Sequence, residues 1–118
     1  MDSDKFAAVG FSAGAHLSLL CGMCDKSAGF DVGENLDVSG KVQCVIDFFG
    51  PTDLSLYAPS PGIEDNYIVP VFGKEVKTDP TIYKKASPLT YVCKDAANAD
   101  SARQHRPNRA DQAFRIVV

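Results

Sequence analysis

The stretch Phe6-Ala7-Ala8-Val9-Gly10-Phe11-Ser12-Ala13-Gly14-Ala15-His16-Leu17-Ser18-Leu19-Leu20 decides how the rest of this chain is read. The apolar run Phe6 to Val9 predicts a buried strand over residues 5–9, and residues 13–24 predict a helix that is apolar on most faces and belongs inside a layered fold. Between them stands Gly10-Phe11-Ser12-Ala13-Gly14, a G-x-S-x-G motif. Such a motif arises often by chance in chains containing Gly and Ser, so its place at a strand-to-helix junction is what gives it weight. A serine hydroxyl is a poor nucleophile unless it is exposed, close to a base and faced by donors for an oxyanion. A sharp turn supplies the exposure, small residues beside Ser12 let the backbone make it, and the following helix N-terminus offers N–H groups where negative charge would develop. The motif does not fit G-x-G-x-x-G: Ser12 holds the central place and no third glycine follows at the required spacing, so no dinucleotide cradle is expected.

A chain of 118 residues has room for one small domain, and 45% apolar residues allow a core. A net charge of −3 gives no reason to expect nucleic acid or a membrane surface as partner. No apolar run is long enough to span a bilayer and no signal peptide opens the chain, so a targeting segment would have to lie upstream of Met1. Cys21 and Cys24 form a C-x-x-C inside the apolar helix, with no second pair or histidine cluster at zinc spacing. They read as small buried apolar side chains, with no metal implied. With Cys44 and Cys93 they leave the compartment open, on the reducing side if either.

Asp25 to Gly40 reads as a polar loop, Lys41 to Phe49 as a second strand, and Gly50-Pro51-Thr52-Asp53 as the turn that ends it. Tyr57 to Phe72, with Pro59, Pro61, Gly62, Asn66 and Tyr67, is either a surface excursion or the border of a substrate cleft. Asp79-Pro80 marks the N-cap and first position of a short helix through Lys85. Strand–helix–strand alternation predicts a parallel α/β sheet with flanking helices. Near Asp95 the composition breaks. The arginines Arg103, Arg106, Arg109 and Arg115 all follow it, every lysine precedes it, and Ala96 to Phe114 has neither helical nor strand periodicity.

GFSAGAHLSLL (Gly10 to Leu20) resembles the nucleophile elbow of the α/β-hydrolase superfamily, in the esterase group of acetylxylan-esterase-like, feruloyl-esterase-like and kynurenine-formamidase-like enzymes. CVIDFFGPTDL (Cys44 to Leu54) is similar to the strand and turn that follow in that group, and ASPLTYVCKDA (Ala86 to Ala96) to its lead-in to the next core strand. The resemblance implies Ser12 as nucleophile, the Ala13 N–H as one oxyanion-hole donor, and Gly10, Phe11 and Gly14 as the frame of the elbow. It implies an esterase acting on small ester substrates through an acyl-serine intermediate, without metal or cofactor. Asp53 belongs to the G-P-T-D turn and is expected to anchor a loop. His16, on the helix and directed away from the elbow, is expected to be structural.

The resemblance also implies parts that are not seen. The early strands and the H-G-G-type loop with the second oxyanion donor would precede Met1. The next strand would end in H-G-x-x-D, with the catalytic histidine further on, where the arginine-bearing tail stands; His105 and its surroundings do not match that loop. Read one base later, the codons from Ala96 onward permit Pro-Pro, force Met or Thr at Asn98/Ala99 and Ser or Asn at Gln104/His105, and permit His-Gly before the latter and Asp after it. The expectation is therefore an α/β-hydrolase fragment, incomplete at both ends. Residues 1–95 form its central part, and 96–118 form a tail outside the family, disordered or frame-shifted. Without base and acid this chain by itself is expected to be inactive. The alternative is a non-catalytic α/β module or pseudoenzyme that keeps the elbow as architecture and binds a partner through an open edge.

Overall fold

The computed structural model describes residues 5–58 and 62–92, together with the backbone of Arg115–Val117. The first strand, β1 (Ala7–Phe11), runs straight into Ser12, and the helix α1 (Ala13–Met23) starts at the next residue. The second strand, β2 (Cys44–Phe48), lies parallel to β1 with Ala7 opposite Cys44 and Phe11 opposite Phe48. This is a β–α–β unit, the α/β class that the alternation predicted. The β1 strand sits two residues further on than the apolar run suggested. The Ser12 N–H still reaches Phe48 O at 2.9 Å, so pairing continues to the turn itself. β2 is shorter than Lys41–Phe49 at both ends. The Val42 N–H turns to Cys21 O, and Phe49, at φ 60°, ends the extended run.

Beyond β2 come α2 (Leu54–Tyr57), a π-helical turn (Glu64–Ile68) continuous with α3 (Val69–Phe72), and α4 (Pro80–Ala86). Asp79 stands at the N-cap position of α4 as expected, but its carboxylate takes the Thr81 hydroxyl and the Lys74 ammonium rather than backbone N–H groups. The backbone of β3 (Arg115–Val117) pairs antiparallel with β2, with Val45 opposite Val117, giving the order β1-β2-β3. The rest of the tail, with His105, Arg103, Arg106 and Arg109, lies outside the described residues, as do Cys93, Pro59 and Pro61.

Two packed regions hold the fold. In the first, α1 packs on β2, and Ala15, Leu19 and Val45 are buried there. Gly22 makes the approach possible, since a Cβ there would stand 2.4 Å from Val45 Cγ2. In the second, Leu54, Ala58 and Tyr83 are buried together with Ile68, Phe72 and Val76 around them, and Phe72 meets the Tyr83 ring edge-on at 5.1 Å. Burial departs from the sequence reading in two places. β1 is not a buried strand: Val9 and Phe11 are 55% and 61% exposed, because they lie on the sheet face opposite the one that α1 covers at Gly10. α1 is likewise buried along one stripe only, so Leu17 and Cys21 face outward and Cys24 is half-buried. Burial pushes the Cys24 thiol up to about 11, with the Asp25 carboxylate adding to the effect.

Candidate active site

Ser12 has the backbone of a forced turn. Its φ of 50° and ψ of −119° lie where a residue with a Cβ is strained, at a cost of about 1–3 kcal/mol. Hydrogen bonds on both sides impose the conformation. The Ser12 N–H donates to Phe48 O at 2.9 Å, and the Ser12 carbonyl accepts from His16 N at 3.1 Å. Gly10 makes the turn sterically possible, since a Cβ there would lie 2.3 Å from the carbonyl carbon and oxygen of Gly14 and 2.4 Å from Ala15 N. Gly14 differs from Gly10, because a Cβ at Gly14 meets nothing within 4 Å. The two glycines of the motif are therefore not equivalent.

Serine at a helix N-cap ordinarily turns its hydroxyl back to an N–H of the first turn. Ser12 stands at that position in α1 and makes no such bond; it is exposed. The Ala13 N–H opens the helix and belongs to the turn whose donors have no intrahelical acceptor. The dipole of the 11-residue helix adds its positive end at the same place.

Three segments far apart in sequence converge here. His16 Nε2 lies 2.7 Å from Ala86 O; a carbonyl can only accept, so Nε2 carries the proton and donates. His16 thereby ties α1 to the end of α4, and its Nε2 is not directed at Ser12. The Ser87 hydroxyl donates to Tyr83 O at 2.7 Å and accepts from Leu54 N at 2.9 Å, while the Leu89 N–H reaches Thr52 O at 3.0 Å. These bonds fasten the Ala86–Leu89 stretch to the G-P-T-D turn. Asp53 caps α2, accepting from the N–H of Ser55 at 2.9 Å and from its hydroxyl at 2.5 Å. The Ser55 hydroxyl, helped by backbone N–H groups, holds the Asp53 carboxyl below the usual carboxylate range. The His16 imidazole and the Asp53 carboxylate are thus engaged by Ala86 and Ser55, and neither is bonded to the Ser12 hydroxyl.

Sequence reasoning missed a second close approach. Asp47 is buried in β2 and accepts the Gly50 N–H at 2.7 Å. A Cβ at Gly50 would stand 2.5 Å from Asp47 Oδ1, 2.8 Å from His16 N and 2.9 Å from Ala15 Cβ, so the turn after β2 presses on the first turn of α1.

Ser12 and Ala13 open onto a cleft of about 750 Å³. One wall is α1, through Leu17 and Leu20; another is the Tyr57–Phe72 region, through Tyr57, Ile63, Tyr67, Ile68 and Val71. Phe30 contributes from the loop after α1, held by an edge contact to Tyr91 and by the Lys85 ammonium 5.4 Å from its ring centre. The segment that the sequence left open between excursion and cleft border thus borders the cleft. Its signal was present in Ile63, Tyr67, Ile68 and Val71, which recur at helical spacing. Among the described residues no group of three or more His, Cys, Asp or Glu side chains is placed to hold a metal ion, and no helix is long and apolar enough to cross a membrane.

Comparison with known proteins agrees with the resemblance of the three motifs. The family model BD-FAE, a feruloyl-esterase-like domain of the α/β-hydrolase type, matches residues 1–99 and leaves every arginine outside the match. No curated protein and no solved structure matches the chain. The match takes in the elbow, β2 with its turn, and the stretch after α4, the three segments that meet around Ser12, and the chain belongs to the BD-FAE family of esterase-type α/β hydrolases.

Proposed function

We propose that this chain carries the nucleophile part of a serine carboxylesterase site, with Ser12 as nucleophile and the Ala13 N–H as one oxyanion donor. One observation carries the reading. Ser12 occupies a helix N-cap in a strained, positive-φ conformation, yet its hydroxyl is exposed and does not cap the helix. A structural serine in that place would hydrogen-bond to the helix; one placed for attack is held off it. The hydroxyl attacks the ester carbonyl, and the C–O bond to the alcohol breaks. The Ser12 proton passes by way of a base to the leaving alkoxide, and water then releases the acid from the acyl-serine. The tetrahedral oxyanion forms beside the N-terminus of α1, where the Ala13 N–H and the helix dipole stabilise it.

Base and acid are not supplied by the described residues. We therefore assign them to a parent protein whose strand after α4 ends in an acid-bearing loop, followed by a histidine. Without them turnover falls by roughly 10⁴–10⁶. The test is hydrolysis of p-nitrophenyl acetate and fluorophosphonate labelling of the Ser12 peptide, on this chain and on the protein encoded when the reading frame after Ala96 is restored and extended. The restored protein should gain at least a thousandfold over this chain and lose it again with Ser12→Ala. A folded restored protein that keeps its hydrolysis in Ser12→Ala, or gains none, would favour the non-catalytic module instead.

A further inference from the structure

We propose that Cys21 and Cys24 form a thiol–disulfide exchange site for a small zwitterionic disulfide, with Cys21 attacking and Cys24 closing the protein disulfide. The site lies at the far end of α1 from Ser12 and goes beyond the esterase reading without resting on it. The sequence suggests two buried apolar side chains, but Cys21 is exposed, Cys24 is half-buried, and both thiols are free. Cys21 lies in the last turn of α1 and Cys24 is its C-cap. At this spacing side chains share a helix face, with Cβ atoms about 5–6 Å apart. Both line one cavity of about 540 Å³. A disulfide needs its Cβ atoms about 3.5–4.5 Å apart, so the pair has to close by about 1–2 Å. Cys24 is the residue free to make that move. The Cys21 carbonyl is anchored by the Val42 N–H at 3.2 Å, whereas Cys24, at ψ 144°, has already left the helix and is tied back through its N–H to Leu20 O at 2.9 Å.

The charged lining of the cavity points to the reagent. It holds the carboxylates of Asp25 and Asp31 and the ammonium groups of Lys26 and Lys41. Two of the four are engaged: Asp25 accepts from the N–H and hydroxyl of Ser27, and Lys26 donates to Leu36 O. The Lys41 ammonium and the Asp31 carboxylate make no hydrogen bond or ion pair among the described residues. One charge of each sign is therefore left for a ligand that carries both, as a disulfide built from amino acids does.

The order of attack follows from the surroundings of the two thiols. Burial, with the Asp25 and Cys21 charges adding to it, pushes the Cys24 thiol up to about 11, so exposed Cys21 attacks first. Its thiolate forms a bond to one sulfur of the reagent, and the other sulfur leaves as a thiolate and takes a proton from water. Cys21 then carries no charge, which removes one of the causes that hold Cys24 up. Cys24 gives its proton to water and attacks the Cys21 sulfur, and the second reagent thiolate leaves and is protonated. Two protein thiols are oxidised to one disulfide while one reagent disulfide is reduced to two thiols.

The probe is oxidised glutathione, with hydroxyethyl disulfide as its neutral counterpart, added to the full chain and quenched in acid for peptide mapping. Trypsin places both thiols in the peptide Phe6–Lys26 and leaves Cys44 and Cys93 in others. That peptide should lose two hydrogens, with the glutathionyl adduct passing through as an intermediate. Cys24→Ser should accumulate the adduct at Cys21. Cys21→Ser should react at Cys24 about tenfold more slowly, because a thiolate population about 100-fold smaller is offset about six- to tenfold by greater nucleophilicity. In concentrated urea the two variants should react within about twofold of each other, since the fold sets the order. Lys41→Gln and Asp31→Asn should each slow glutathione about two- to fivefold and leave hydroxyethyl disulfide unchanged, the scale of an exposed ion pair. Ser12→Ala should close at the parent's rate whatever becomes of the esterase reading. A glutathionyl adduct that persists on the parent would overturn the proposal. So would a disulfide from either thiol to Cys44 or Cys93, or equal rates for Cys21 and Cys24 in the folded chain. Closure that ignores both Lys41 and Asp31 would overturn the choice of a zwitterionic reagent.

Discussion

Replacing Gly10 by alanine tests the construction of the elbow at its tightest point. The added Cβ would sit 2.3 Å from the carbonyl carbon and oxygen of Gly14 and 2.4 Å from Ala15 N, where ordinary contact begins near 3.4 Å. The first turn of α1 would have to retreat by about 1.1 Å, the difference between those distances. All the obstructing atoms are backbone, so no side chain can rotate away. The helix cannot tilt freely either, because Gly22 already brings it onto Val45. Overpacking of this kind costs about 1–3 kcal/mol, and a backbone clash belongs at the upper end. In a domain of this size about 3 kcal/mol lowers Tm by roughly 12–24 °C. Gly14→Ala is the matched control: its Cβ meets nothing within 4 Å, and alanine in a helix is favoured over glycine by about 0.5–1 kcal/mol. Urea and thermal unfolding followed by far-ultraviolet circular dichroism should therefore move in opposite directions for two glycines of one motif. The reasoning fails if Gly10→Ala melts within about 2 °C of the parent, or if Gly14→Ala is as damaging as Gly10→Ala.

Other consequences are simpler to state. His16→Ala should destabilise the chain by about 1–2 kcal/mol, because the Ala86 carbonyl loses its donor, and His16→Gln should recover part of the loss; an unchanged urea midpoint for His16→Ala would contradict the tie. Asp53→Ala should cost about 1 kcal/mol at neutral pH through loss of the α2 cap. The folded carboxyl of Asp53 lies below its unfolded value of about 3.9, so its stabilisation is complete above that value and is lost as pH falls through the lower folded one. The gap between parent and Asp53→Ala should accordingly close in strong acid, and a gap that widens there would refute the assignment. Cys24, pushed from 9.0 to about 11, should hold about 100-fold less thiolate at neutral pH than an ordinary thiol, so iodoacetamide should modify exposed Cys21 first, as peptide mass mapping can show.

The sequence was most legible where a local pattern alone determines the outcome. The turn at Ser12, the helix beginning at Ala13, the break at Gly50-Pro51 and the start of α4 at Asp79-Pro80 follow from Gly, Pro and capping chemistry within a few residues. Burial was misjudged because it depends on neighbours. Val9, Phe11, Leu17 and Cys21 are apolar, but a strand covered by α1 on one face and a helix packed along one stripe leave them facing out. The Tyr57–Phe72 region was harder for a different reason. Its glycine and three prolines suggest a loop, while Ile63, Tyr67, Ile68 and Val71 keep a helical spacing that a π-helical turn then distorts. The approach of Gly50 to His16 N was invisible, since the two residues meet only once β2 has been placed beside β1.

A strained serine persists only where its surroundings leave the backbone no easier conformation. Around Ser12 that constraint comes from a bond to β2 on one side, a bond into α1 on the other, the missing Cβ of Gly10 beneath the first helical turn, and the pressure of Gly50 from the turn after β2. Each element lies within residues 10–50, so the geometry of Ser12 is built by a short β–α–β unit and its flanking turn. Activation is a separate matter. It needs a base near the hydroxyl, and His16, the imidazole nearest in sequence, is engaged by Ala86. On the proposed esterase reading, placement and activation of Ser12 therefore reside in different parts of the fold. Removing the base should leave the shape of the elbow intact, while removing Gly10 should destroy both shape and reactivity. A restored protein in which Gly10→Ala abolishes labelling of Ser12, while replacement of its downstream histidine slows labelling but leaves Tm unchanged, would separate the two contributions.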